Sequence, residues 1–334
     1  MIKTNRVLHL TLEKCGSQWV RDVLSAPEIL PYSKLPHSGV SLNTGSITNL
    51  IIPDQTFSGP IYGMNRWEWN DWKKPGDRAL VVLRDPRDVM ISLMYSWLYS
   101  HDSNVQVDIA RRTFHGVKSH EEQIKLMITS VGDNSKQKMY RYWANYEGDD
   151  ALLVSYEQLI QDEQIAFRKI VDWLGWEVPE QILFTVVNRL SFKSRSGGRQ
   201  PGEVDNLSHF RRGVANDWKN HFTRDSGCLW EEFYPGLLCE IGYEQSDDWW
   251  RSLPKVLVGF DEGDNEKDLK NLLIDSLEQK LKNQQSKLVA KEKVIQNLIE
   301  ICAERLAVIN SLNNNLSKTK LLTAMLMRVK SWVQ

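Results

Sequence analysis

The chain has 334 residues, enough for one large domain or two small ones, and its 41% apolar and 25% charged content is that of a soluble globular protein. A formal net charge of -1 gives no support to general nucleic-acid binding, and no apolar run is long enough to span a bilayer. Cys15, Cys228, Cys239 and Cys302 show neither metal spacing nor a paired framework; with no signal peptide of the usual form, the expected location is the cytoplasm.

The first element is an apolar run, Val7 to Leu12, short enough for one buried strand. A tight turn, Glu13 to Ser17, hands over to an amphipathic helix that starts near Gln18, with Trp19, Val20, Val23 and Leu24 on one side. A strand, a short turn with Lys14 and Gly16, and a helix start make an anion site, because free N–H groups and the helix dipole face the same point. The turn lacks the second glycine and the terminal Lys-Ser/Thr pair of a Walker loop. The plain alternative is an ordinary strand-turn-helix carrying a surface lysine.

Pro27 to Pro60 reads as loop, followed by a second strand over Ile61 to Asn65 and a polar, Trp-rich loop from Arg66 to Gly76. Arg78 to Leu83 is continuously apolar after its first residue and predicts a buried parallel strand. It runs into Arg84-Asp85-Pro86-Arg87-Asp88 and a helix from about Val89 to Tyr99, with Pro86 suited to a first helical turn. Arg84 and Arg87 stand where that strand meets that helix, the edge at which open parallel sheets bind ligands. His101 to Tyr146 has helical spacing, Ala151 to Ser155 is a further buried strand, and helices are expected over Gln164 to Leu174, Pro179 to Asn188 and Trp230 to Cys239. Ser194 to Gly202, rich in Gly and basic groups, is expected to be mobile.

The character changes after an acidic, Gly-containing stretch at Gly259 to Asp264. Ile274, Leu281, Leu288, Ile295, Cys302, Ile309 and Leu316 recur every seven residues, with Leu277, Leu298 and Leu312 on the complementary seam. That spacing predicts a coiled coil and self-association; the alternative is one long helix packed on the globular part. The tail, Lys318 to Gln334, pairs an apolar side with Lys318, Lys320, Arg328 and Lys330, and suits an anionic membrane surface, a docking helix or the frayed end of the coil.

Three separated basic sites stand out: Lys14 with Ser17, Arg84 with Ser92 eight residues on, and Arg211-Arg212-Gly213. A ligand with phosphates at two ends needs such an arrangement. The residues that carry these sites resemble the sulfotransferases that use 3′-phosphoadenosine-5′-phosphosulfate (PAPS). EKCGSQW resembles that family's 5′-phosphosulfate loop, LRDPRDVMISLMYSW its 3′-phosphate motif, LLVSYEQL the segment whose Tyr lies near adenine, and FRRGVANDWKNHF its closing loop. The four motifs fall in family order across roughly residues 6 to 245.

The resemblance implies roles. Lys14 would neutralise charge on the bridging oxygen as the sulfuryl group leaves, while Cys15, Gly16, Ser17 and Gln18 cradle the 5′-phosphate and Trp19 stacks on adenine. Arg84, Ser92, Arg211, Arg212 and Gly213 would hold the 3′-phosphate, and Tyr156 would contact the base. The expected fold is α/β: three layers, with a mostly parallel central sheet, helices on both faces and a P-loop-like site, followed by the C-terminal long helix. The expected division is 1–258 for the catalytic domain, 259–267 for a linker, 268–317 for the coiled coil and 318–334 for the basic tail. The acceptor would be a hydroxyl or amine of a small molecule, lipid or glycan; no metal and no nucleic acid is expected. The family's base histidine after the second strand is missing, since Gly63-Met64-Asn65-Arg66-Trp67 stands there. His37 is the preferred base, with Glu13 and Glu68 in reserve and His221 structural. Two other activities fit parts of the pattern: a small-molecule kinase of related architecture, and a coiled-coil scaffold whose domain binds nucleotide without chemistry.

Overall fold

The computed structural model describes residues 5–41 and 51–257, except 103, 118 and 131–133, and scattered helical residues between 285 and 305. Strands β1 (Val7–Thr11), β2 (Phe57–Tyr62), β3 (Arg78–Leu83) and β4 (Ala151–Ser155) form one sheet in the order β2-β1-β3-β4. Every pairing is parallel, with Val7 set opposite both Phe57 and Arg78. All five residues of β1 are buried, His9 and Thr11 included, as expected of a central strand covered on both faces.

On one face, Val7, Leu80, Val82 and Val154 pack with Val20, Val23 and Leu24 of helix α1 (Ser17–Leu24). The helices Glu163–Trp173 and Glu180–Arg189 add Phe167, Ile170, Leu183 and Val187 to the same core. Alternation sends Leu8, Leu10, Ala79 and Val81 to the other face, and each is fully buried there too. Each buried Leu or Val among them contributes roughly 1.5–3 kcal/mol of transfer free energy.

The strand order locates the functional edge. After β1 the chain moves outward to β2; after β3 it moves the opposite way to β4. The two central strands therefore end at a topological switch point, where the loops diverge and leave a crevice. The Glu13–Ser17 turn and the Arg84–Asp88 turn both open there.

Four expectations need correction. The second strand starts at Phe57, well before Ile61. Gly59 and Pro60 look like turn residues in sequence, but β2 is an edge of the sheet, where proline is tolerated. Residues 36–40 run along its outer side: Phe57 N–H donates to Pro36 O at 3.1 Å and Ser38 N–H to Phe57 O at 2.9 Å. The Trp-rich loop is a helix, Arg66–Trp72, started by an Asn65/Glu68 capping box. The helix after β3 begins at Pro86 and passes at Ser96 into a π-helical turn, Ser96–Ser100. The helix expected over Trp230 to Cys239 is two pieces, Arg224–Phe233 and Leu237–Glu240, parted at Pro235 and Gly236.

The chain divides into two compact units, Met1–Glu266 and Lys267–Gln334. In the second, residues 295–301 are helical, and Ile295, Leu298, Ile299 and Ile301 are exposed. Residues 285, 288, 289, 291–293 and 303–305 are helical too; the rest of the expected coil, the expected linker 259–267 and the tail 318–334 lie outside the described residues.

Candidate active site

Lys14 and Gly16 both adopt left-handed backbone, φ +66° and +78°, and so fold the chain back sharply between β1 and α1. For Lys14 that conformation costs on the order of 1–3 kcal/mol, a strain typical of functional turns. Gly16 is required on two counts: its φ is positive, and an added Cβ would press on the Tyr156 ring at 3.2 Å. Gly16 stands at the N-cap of α1 with no side-chain cap, so the first N–H groups of that helix remain available to an anion.

Lys14 Nζ donates to Ser96 Oγ at 2.7 Å. Burial, with Arg84 close by, lowers its ammonium from 10.5 to about 8. An arriving anion would relieve that penalty. Ser17 Oγ meets the Tyr62 hydroxyl at 2.9 Å.

Arg84 leaves the end of β3. Its Nη1 donates to Lys14 O at 3.3 Å and its Nη2 to Val214 O at 2.9 Å, and its guanidinium lies 4.4 Å over the Tyr156 ring. Burial opposes its charge, but Asp88, Tyr156 and Glu157 more than offset this. Asp88 in turn accepts from Asn216 N–H and Trp218 N–H, both at 2.8 Å, which docks the closing segment onto the helix after β3. In that segment Arg211 and Arg212 both pair with the buried carboxylate of Asp217. The Arg211 guanidinium also lies 4.4 Å over Tyr95. Gly213, φ +66°, admits no side chain, since a Cβ would run into the Phe192 ring.

These groups surround one cavity of about 720 Å³. From the β1 turn come Lys14, Gly16, Ser17, Gln18 and Trp19. Arg84, Ser92 and Tyr156 reach it from beyond β3 and β4, and the closing segment adds Arg211, Arg212 and Gly213. Two expected members stand apart. Cys15 does not line the cavity; its buried thiol is pushed up to about 12, so only its backbone is available for a cradle. His37 is not in the site. Its Nδ1 accepts from Gly39 N–H at 3.0 Å, which leaves Nε2 to donate to Gly59 O at 2.8 Å. Both ring nitrogens are spent tying the 36–40 segment to β2, and no basic lone pair remains. Glu68 is likewise committed, to the Asn65 N–H of the capping box at 2.9 Å.

Other cavity residues escaped sequence reading: Tyr62, Trp97, His101, Asn104, His209 and Asp217. Ser96 was within reach of it. It lies one helical turn past Ser92, on the same face, and it is Ser96 that receives the Lys14 bond. The 194–202 stretch is also better anchored than its composition predicts, because Arg199 donates to Phe210 O at 2.7 Å and to Arg211 O at 3.1 Å.

The arrangement suits a ligand with two anionic ends and a flat ring. Among the described residues, the Nε groups of Arg84, Arg211 and Arg212 are buried donors without a hydrogen-bond partner, and so is Trp19 Nε1. Buried donors of this kind call for an acceptor. The uncapped α1 terminus and Lys14 border the same cavity and are suited to a second anion.

Comparison with known proteins agrees. The family model described as the sulfotransferase domain matches residues 71–239, half of the chain. Sulfotransferase 2A1 of Homo sapiens is 26% identical over 257 residues, covering 67% of this chain and 80% of that protein. Sulfotransferase 2A2 of Rattus norvegicus is 25% identical over 243 residues, covering 67% and 80%. The crystal structure of mouse sulfotransferase SULT7A1 complexed with PAP has the same fold, with a TM-score of 0.50 at 17% identity over 71% of this chain and 85% of that one. The match takes in β3, Arg84, β4 and the closing segment, and on it the chain belongs to the sulfotransferase family.

Proposed function

We propose that this sulfotransferase takes its sulfuryl group from PAPS and passes it to a hydroxyl or amine of a small-molecule, lipid or glycan acceptor. The observation that carries the reading is the meeting, in one cavity, of the uncapped α1 turn with Lys14 and the Arg84, Arg211 and Arg212 cluster. When bound, the donor supplies a sulfuryl group on a phosphate leaving group. The α1 N–H groups and Ser17 hold the 5′ end, and Lys14 takes up the charge that develops on the bridging oxygen. The three arginines and Ser92 hold the 3′-phosphate, and Trp19 and Tyr156 flank the base. Such transfer needs positioning and charge stabilisation rather than a covalent intermediate. The mouse relative's complex with PAP supports the donor identity. Trp97, Leu93 and Val107 give the remaining cavity wall an apolar character suited to the acceptor.

We also propose self-association through the heptad-patterned segment 268–317, supported by its seven-residue spacing and by exposed Leu288, Ile295 and Leu298. A cytoplasmic setting is in keeping with Cys15, Cys228 and Cys239 being free thiols.

The test is calorimetric titration with 3′-phosphoadenosine-5′-phosphate (PAP) against ADP. PAP is expected to bind about 30-fold or more tighter, since each charge-assisted bond to the 3′-phosphate is worth roughly 1.5–3 kcal/mol. Equal affinity would sink the reading and favour a kinase.

A further inference from the structure

We propose that His209 takes the proton from the acceptor hydroxyl during sulfuryl transfer; the inference rests on the donor reading above and supplies the base that His37 does not. Placement carries it. His209 and Lys14 line the same cavity, although the turn after β1 and the approach to the closing segment deliver them separately. The imidazole stands exposed at the cavity rim and makes no hydrogen bond among the described residues. Its position is nevertheless fixed. The next residue, Phe210, meets the imidazole edge-on at 5.6 Å and lies under the Arg195 guanidinium at 4.9 Å. Arg195 pairs with Asp22 of α1 at 2.8 Å, so the helix that builds the donor turn also anchors this segment.

The other proton acceptors are placed for other work. Glu13 and His101 face the cavity but are engaged by neighbours. His120 and His221 bond each other at 2.9 Å outside the cavity lining, and His37 holds the 36–40 segment.

The charged surroundings explain when His209 can act. Lys14 of the β1 turn, Arg195 of the short Phe192–Arg195 helix and His101 after the π-helical turn all oppose a positive charge on it. Partial desolvation where it borders the cavity, together with Lys14, Arg195 and His101, lowers it to about 4. It is therefore neutral near pH 7 but a weak base. Donor binding changes that balance, because a phosphosulfate beside Lys14 cancels the cation that depresses the imidazole. The base gains strength only with the donor in place.

In the step itself the acceptor oxygen bonds to sulfur while the bond from sulfur to the phosphate oxygen breaks. The phosphate keeps that electron pair, and the hydroxyl proton passes to an imidazole nitrogen of His209. At the open rim the imidazolium then returns its proton to water.

Two probes that share one ring test this in the full chain with PAPS. 4-Nitrobenzyl alcohol keeps its proton at neutral pH, whereas a large share of 4-nitrophenol has already lost it. His209→Gln is expected to slow transfer to the alcohol about 10²- to 10⁴-fold and transfer to the phenol less than about tenfold, with PAP affinity by calorimetry unchanged. Equal losses on the two probes, or none on the alcohol, overturn the proposal. If neither probe serves as an acceptor for the native chain, histidine NMR titration decides. The His209 signal, identified by its loss in His209→Gln, is expected to titrate about one unit higher with PAP bound than without. No upward movement overturns the proposal. A native chain that fails to bind PAP overturns the donor reading first, and the base assignment with it.

Discussion

Arg84 and Arg87 lie three residues apart in one motif, yet their surroundings differ in kind. Arg87 is fully satisfied. It donates to both oxygens of Asp85, at 3.0 and 2.7 Å, and to Glu244 at 2.5 Å. Its flat faces are closed by Trp218 at 3.6 Å and Trp249 at 4.6 Å. Arg84 keeps a buried Nε without a partner among the described residues and lines the cavity. The contrast separates an arginine that holds the fold from one that awaits a ligand. Residue type and burial do not make that distinction; leftover donors do.

The largest expected effect breaks the satisfied side. Arg87→Ala leaves Asp85 and Glu244 without their cation and should cost about 3–5 kcal/mol of stability, read by urea unfolding. A loss below about 1 kcal/mol would show that the packed tryptophans, not the ion pairs, hold the closing segment.

On the unsatisfied side, Lys14→Ala should lower kcat about 10²- to 10³-fold while PAP affinity changes far less. Parallel losses in both would recast Lys14 as a binding residue. Arg84→Ala should reverse that pattern. PAP binding should weaken by about 1.5–3 kcal/mol, with a smaller stability loss than Arg87→Ala produces. If the two arginine variants proved equally unstable, the contrast between them would fail.

The pH response sharpens the same contrast. Lys14 titrates near 8 in the folded protein, below its ordinary 10.5. Above about pH 8 the cation is lost, so kcat/KM for the donor should fall, and Lys14→Arg should push that fall to higher pH. Stability runs the other way. Between about pH 8 and 10.5 the unfolded chain holds the extra proton, so the Lys14 contribution to stability rises with pH as activity drops. The smallest effect belongs to His37→Ala: about 0.5–1.5 kcal/mol for each loop bond lost, with turnover unchanged.

Much of this was legible in sequence because it is local. The β1 run, the turn at Lys14 and Gly16, the β3 run and the Arg84 handover each lie within a few consecutive residues. The start of β2 was not, because Gly59 and Pro60 signal a turn unless the strand is known to be an edge. The Arg66–Trp72 helix has a local signal, the capping-box spacing of Asn65 and Glu68, which the three tryptophans mask. The base was beyond sequence reading. His37 and His209 are both loop histidines, and only folding puts one against Gly39 and Gly59 and the other in the cavity of Lys14. Arg87 and Arg84 were likewise indistinguishable until Trp218 and Trp249, far along the chain, closed over one of them.

Asp217 gives the cavity a further property. Its carboxylate already pairs with Arg211 and Arg212, so a phosphate entering there competes with an anion built into the protein. A singly charged ion such as chloride offers the two arginines little that they do not have. A doubly charged phosphate with three acceptor oxygens offers more. With a 3′-phosphate as its ligand, the arrangement would act as a valence filter, indifferent to monovalent salt and responsive to the rarer dianion.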